Sequence, residues 1–153
     1  MRPILAAIDL PPAWLALHLA AAWVLSFLTP GLFGPAGDWL GWALIVLGAA
    51  ILLAAVAQMT LARTTVIPRR NPSALVTTGL FALSRNPIYL ADALILAGAI
   101  LWMDALLALP LIPVFTWLIQ TRFIRDEEMR LTLAFGAEFD LWAGRTRRWF
   151  GRK

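Results

Sequence analysis

Residues 88–120 read IYLADALILAGAILWMDALLALPLIPVFTWLIQ, an apolar tract with two acidic residues, Asp92 and Asp104, and no basic one. As one straight helix at 1.5 Å per residue it would run to about 50 Å, against a bilayer hydrocarbon core of about 30 Å. One crossing cannot absorb it without a strong tilt and kink. Asp104, followed by Pro110 and Pro113, marks a break. The tract therefore reads as a tight helical hairpin turning near Met103 and Asp104, with short arms over 88–103 and 105–120.

Two further apolar stretches lie upstream, over about 13–28 and 38–62. The fold predicted is an all-α integral membrane protein of about four transmembrane helices with a cytoplasmic C-terminal helical segment, forming one domain over 1–153. Composition agrees: hydrophobic residues make up 61% and charged residues 14%, where soluble domains average about 45–50% and about 25%. So few charges cannot solvate a soluble globule, and nucleic-acid binding is not expected. The absence of cysteine removes thiolate metal sites and cysteine nucleophiles, and no metal is expected. A cleavable signal is the competing reading of the first stretch, with Ala20, Ala21 and Ala22 as the cleavage region. Apolar sequence continues past them to Leu28, so a retained helix is the better reading.

The formal charge of +4 comes from 13 Lys and Arg against 9 Asp and Glu. Sorted along the chain, it is a topology signal. Residues 29–37 and the turn at Asp104 carry no Lys or Arg. Segment 64–87 carries Arg69, Arg70 and Arg85, with Arg63 at its edge, and segment 121–153 carries eight more, ending in Arg152 and Lys153; Arg2 precedes the first span. Four spans put every basic residue on one side. That side is predicted to be cytoplasmic, with both termini, and the chain's brevity suggests a bacterial inner membrane.

Small residues let membrane helices approach closely. Gly41, Gly48 and Ala55 recur every seven residues in the second span and predict a contact face; Ala13, Ala16 and Ala20 suggest one on the first. Trp14, Trp39, Trp42, Trp102 and Trp117 are expected at head-group level. His18 reads as a helix–helix hydrogen-bonding residue before it reads as a base.

Two segments carry candidate chemistry. In the first, Gly79 permits a turn or a close approach, and Asn86-Pro87 reads as a helix start, Asn capping and Pro at the first helical position. Arg85, Asn86 and Tyr89 form a dense donor set there. Asp92 lies on the same helix face as Tyr89. An acid within the hydrocarbon costs roughly 2.5–3.5 kcal/mol and should face the bundle interior or water; the alternative is an interfacial Asp92 one turn below the head groups, hydrogen-bonded to Tyr89 or Arg85. In the second segment, Ile124, Leu131 and Phe135 mark an apolar stripe straddled by Glu127 and Glu128, while Arg122, Asp126 and Arg130 suggest a solvated charge ladder on another face. Inward carboxylates need a cationic partner, either Arg85 or a ligand.

Arg85-Asn86-Pro87-Ile88-Tyr89, followed by Glu127-Glu128 and then Phe135-Gly136 with Glu138 and Phe139, resembles the membrane methyltransferases that include isoprenylcysteine carboxyl methyltransferase and the phospholipid N-methyltransferases. The resemblance covers about residues 64–148. Asn86 stands where the isoprenylcysteine enzymes commonly have His, and Phe139 and Trp142 stand where tyrosines are frequent. It implies S-adenosylmethionine bound on the cytoplasmic side by Gly79, Leu80, Phe81, Arg85, Asn86, Tyr89, Glu127 and Glu128. Glu128, Arg85 and Asp92 would be the catalytic set, with Arg145 and Trp142 toward a lipophilic acceptor drawn from the bilayer. A reduced-nicotinamide membrane reductase and a non-catalytic lipid- or partner-binding module are the alternatives.

Overall fold

The computed structural model describes residues 9–28, 31–65, 67 and 72–152. Arg2, Arg69, Arg70 and Lys153 of the charge argument lie outside them. Among the described residues the chain is helical without strands: α1 Pro11–Ser26, α2 Gly34–Leu61, α3 Pro87–Trp102, α4 Leu111–Ile119, α5 Arg125–Phe135 and α6 Ala137–Arg145. Short 3₁₀ turns stand at Gly79–Ala82 and Leu106–Ala108, and a π-turn at Gln120–Ile124 joins α4 to α5. Two helical runs, Gly34–Leu61 and Leu106–Phe135, are long and apolar enough to cross a membrane, while Pro11–Ser26 and Pro87–Trp102 are apolar but shorter. Each of these two, at 16 residues, spans about 24 Å.

The 88–120 tract does break at Met103 and Asp104, where α3 ends and Asp104 takes a φ of +52°. The returning arm begins later than the sequence suggests. Residues 105–110 form the 3₁₀ turn and a bend, and Pro110 sits immediately ahead of α4. The Asp104 carboxylate accepts the backbone N–H groups of Leu32 and Phe33, each at 2.8 Å, tying the hairpin turn to the α1–α2 connection. Those two hydrogen bonds, Phe33 first, hold its carboxyl below the usual range.

Glycine-mediated packing of α2 on α3 sets the bundle. Gly41, Gly48 and Ala55 are buried, as their spacing predicts. A Cβ on Gly41 would stand 2.7 Å from the Gly98 carbonyl oxygen, and one on Gly98 would stand 2.6 Å from that of Gly41. The backbones touch because neither residue has a side chain.

On α1 the alanine expectation fails. Ala16 and Ala20 are exposed, and the buried residues are Pro11, His18 and Ala22. His18 donates from Nδ1 to the Trp14 carbonyl at 2.8 Å and meets Phe115 edge-on, so the bulky pair rather than the alanines makes the contact. Trp39, Trp42, Trp102 and Trp117 are exposed. Trp14 is not a free anchor: its indole donates to Asp9 at 2.9 Å, and the Arg122 guanidinium lies over its ring.

Candidate functional site

The first wall of the site is the 79–89 segment. Gly79 has a φ of +59°, and a Cβ there would collide with Gln58 near the end of α2. Gln58 Oε1 accepts the Leu80 N–H at 3.2 Å, so that amide is already engaged. Pro87 opens α3 as the sequence suggests, and Asn86 occupies the cap position. Its side chain makes no cap, however. It donates instead from Nδ2 to the Arg148 carbonyl at 3.0 Å, because the C-terminal strap folds back over this turn. The Arg85 N–H donates to the Arg147 carbonyl at 3.0 Å and the Gly151 N–H to that of Leu83 at 2.7 Å. Trp142 of α6 fixes the same segment by donating from Nε1 to the Phe81 carbonyl at 2.9 Å.

The second wall is α5, which continues the helical run of α4 past the π-turn. The π-turn is a register shift of the kind found at functional positions in helices, and it immediately precedes the acidic turn of α5. Tyr89 donates its hydroxyl proton to Glu127 Oε1 at 2.6 Å, so the two ends of the 88–120 tract meet. The adjacent carboxylate, Glu128, has different partners. Arg148 holds both of its oxygens, and Arg85 Nη1 stands 3.1 Å from Oε1. Of the expected solvated ladder, Arg122 and Asp126 are exposed, with Arg122 paired to Asp9 at 2.8 Å, while Arg130 is half-buried and lines the cavity.

A cavity of about 350 Å³ lies between these walls. Arg85, Asn86, Tyr89, Asp92 and Glu127 line it, together with Phe81 and Trp142. Its other side is apolar, formed by Pro11, Leu15, Leu52, Ile88 and Ile95 among others. Asp92 is buried on this wall with no hydrogen-bond or ion-pair partner among the described residues. The Arg85 Nε is likewise buried without one. Burial pulls the Arg85 guanidinium down from its ordinary value, Glu128 opposes that, and Arg148 adds to it. Of the residues singled out in sequence, Gly79, Leu80 and Glu128 support the walls rather than line the cavity. Arg145 lies with Arg152 on a separate groove past Trp142. Gln58, Ser84 and Arg148 were not singled out as site residues, and Arg130 was read only as part of a solvated ladder. Only Gln58 carried a sequence signal, as a lone amide near the end of an apolar span.

The model of the phospholipid methyltransferase family matches residues 37–138. The chain belongs to the phospholipid methyltransferase family. No curated protein matches it. The family is one of membrane methyltransferases, which fits a bundle whose exposed surface is rich in Leu, Val and Trp. The matched phospholipid methyltransferase segment runs from α2 to the first turn of α6 and holds both cavity walls. The α1 residues Pro11 and Leu15, Trp142 and the strap that carries Arg148 lie outside it.

Proposed function

We propose that the protein transfers a methyl group from S-adenosylmethionine to a lipophilic acceptor that reaches the cavity from the bilayer at the cytoplasmic face. The observation that carries this reading is the two-sided cavity, with charged and hydroxyl groups on one wall and aliphatic side chains on the other. The donor set suits the cofactor's chemistry. Asp92 and Glu127 offer negative charge to a sulfonium, and the uncommitted Nε of Arg85 offers a charge-assisted donor to a carboxylate. Asn86 and Tyr89 add polar contacts, and the Phe81 and Trp142 rings offer faces to a cation or a base. Bound there, S-adenosylmethionine would supply an electrophilic methyl group on a cationic sulfur.

The protein's own work is then alignment and exclusion of water. Tyr89 fixes the rotamer of Glu127. The aliphatic wall admits the acceptor's chain, and Asp92 is the cavity carboxylate available to take a proton from an amine or thiol acceptor. We assign Arg145 to drawing an anionic head group toward the mouth. Four spans in a single unit over 1–153, with segments 64–87 and 121–153 and both termini in the cytoplasm, complete the proposal; the one-sided basic charge supports it.

Calorimetric titration of the detergent-purified protein with S-adenosylmethionine, S-adenosylhomocysteine and NADPH tests it. Binding of the first two and not the third is expected. Absence of any S-adenosyl binding would overturn the reading, and NADPH binding would favour a reductase.

A further inference from the structure

We propose that Arg148 is a positioning residue: by occupying Glu128 from the far side, it keeps the Arg85 guanidinium from being neutralised and leaves it facing the cavity as an anion site. This rests on the cofactor reading above.

The geometry is asymmetric. Arg148 grips Glu128 at two points, Nε at 2.9 and 3.1 Å from the two oxygens and Nη2 at 2.7 Å from Oε2. Arg85 has one contact with the same carboxylate, Nη1 at 3.1 Å. A lone carboxylate between two guanidiniums compensates one charge and leaves one over. The Arg85 side chain is 11% exposed and that of Arg148 40%. Water therefore screens Arg148, and the uncompensated charge is felt at Arg85, whose Nε is buried and unpartnered among the described residues.

Planar guanidinium and carboxylate groups prefer two-point pairing. With Arg148 gone, nothing holds Glu128 away from a second contact with Arg85. The pair would then close on itself and the anion site would be quenched. On this reading Glu128 serves the cavity through Arg85, and the two neighbouring glutamates differ in role: Glu127 lines the cavity and Glu128 stands behind it. The strap keeps its place without the Arg148 side chain, because backbone groups of Arg147, Arg148 and Gly151 bind it to residues 83–86. Arg148→Ala thus removes a charge without removing the strap.

The test compares S-adenosylhomocysteine, which carries an amino-acid carboxylate, with 5′-methylthioadenosine, which has none, by calorimetry on the full chain. Arg148→Ala is expected to bind S-adenosylhomocysteine roughly tenfold or more weakly than wild type, the scale of one charge-assisted hydrogen bond. Its affinity for methylthioadenosine should equal that of wild type. Arg148→Lys, which keeps a charge but not the fork, should fall between, and it serves as the folded variant should the alanine protein melt early. Arg152→Ala, a charge loss on the same strap, should match wild type for both ligands. Equal loss for the two ligands, or no loss for either, would overturn the inference while leaving the cofactor reading intact. A wild-type protein that binds neither ligand would overturn both.

Discussion

Glu127 sits in the cavity wall with the Tyr89 hydroxyl 2.6 Å away, while its neighbour Asp126 is exposed one position earlier on the same turn. Two carboxylates so close in sequence should therefore respond differently to loss of charge. Glu127→Gln is expected to weaken S-adenosylmethionine binding by roughly ten- to a hundredfold, since a buried charge-assisted contact is worth about 1.5–3 kcal/mol. Asp126→Asn should leave it unchanged. Tyr89→Phe removes the proton that orients Glu127 and should cost less, about fivefold. Calorimetry on the three variants checks the order; equal losses for Glu127→Gln and Asp126→Asn would mean that the helix presents both groups alike. The inward turn of Glu127 was legible because Ile124, Leu131 and Phe135 fix which face of α5 meets the bundle. Arg85 as one partner of Glu128 was legible too; its second partner was not, because Arg148 arrives from a strap whose fold-back leaves no periodic trace in the sequence.

Helix pairing depends on where side chains are missing. Gly41 and Gly98 meet backbone to backbone, and an added Cβ at either would come within 2.8 Å of the other helix. Gly41→Ala and Gly98→Ala should each lower the melting temperature in detergent, with overpacking of about 1–3 kcal/mol behind the shift. Gly144→Ala, in α6 with no atom within 4 Å of the added carbon, should leave it unchanged or raise it, since alanine favours the helix by about 0.5–1 kcal/mol. The seven-residue glycine spacing announced this face, but the alanine spacing on α1 misled. Lipid is as apolar as the bundle interior, so hydropathy cannot say which small residues face a partner; there the buried face follows His18 and Phe115. At the hairpin turn a single charge marks the break. Asp104 accepts the Leu32 and Phe33 amides, and its carboxyl is held below its ordinary value. A depressed carboxylate adds stability above its unfolded pKa and loses it as pH falls through the folded one. Wild type should therefore melt higher than Asp104→Asn near neutrality, and the gap should close as the pH is lowered through the carboxylate range.

At the scale of the whole molecule, the basic side chains among the described residues gather at one end of the bundle. The Tyr89–Glu127 hydrogen bond and the Arg85–Glu128 ion pair join the start of α3 and the residues just before it to the chain after α4. The Asp104 contacts join the two short connections at the opposite end of α3. A tract that crossed the bilayer once would hold segments 64–87 and 121–153 about 30 Å apart, and none of those cavity contacts would form. A hairpin lets both segments share one surface, which we propose, from the positive-inside bias, to be the cytoplasmic one. The chain has no cysteine, so single cysteines can be placed and read without background. Leu32 is 63% exposed beside the hairpin turn, and Arg147 is exposed on the strap. With a membrane-impermeant maleimide, Leu32→Cys should label in right-side-out vesicles and Arg147→Cys in inside-out ones. Labelling of both from the same side would place an even number of crossings between them instead of the expected odd one, and the cytoplasmic assignment of the cavity would fall with it.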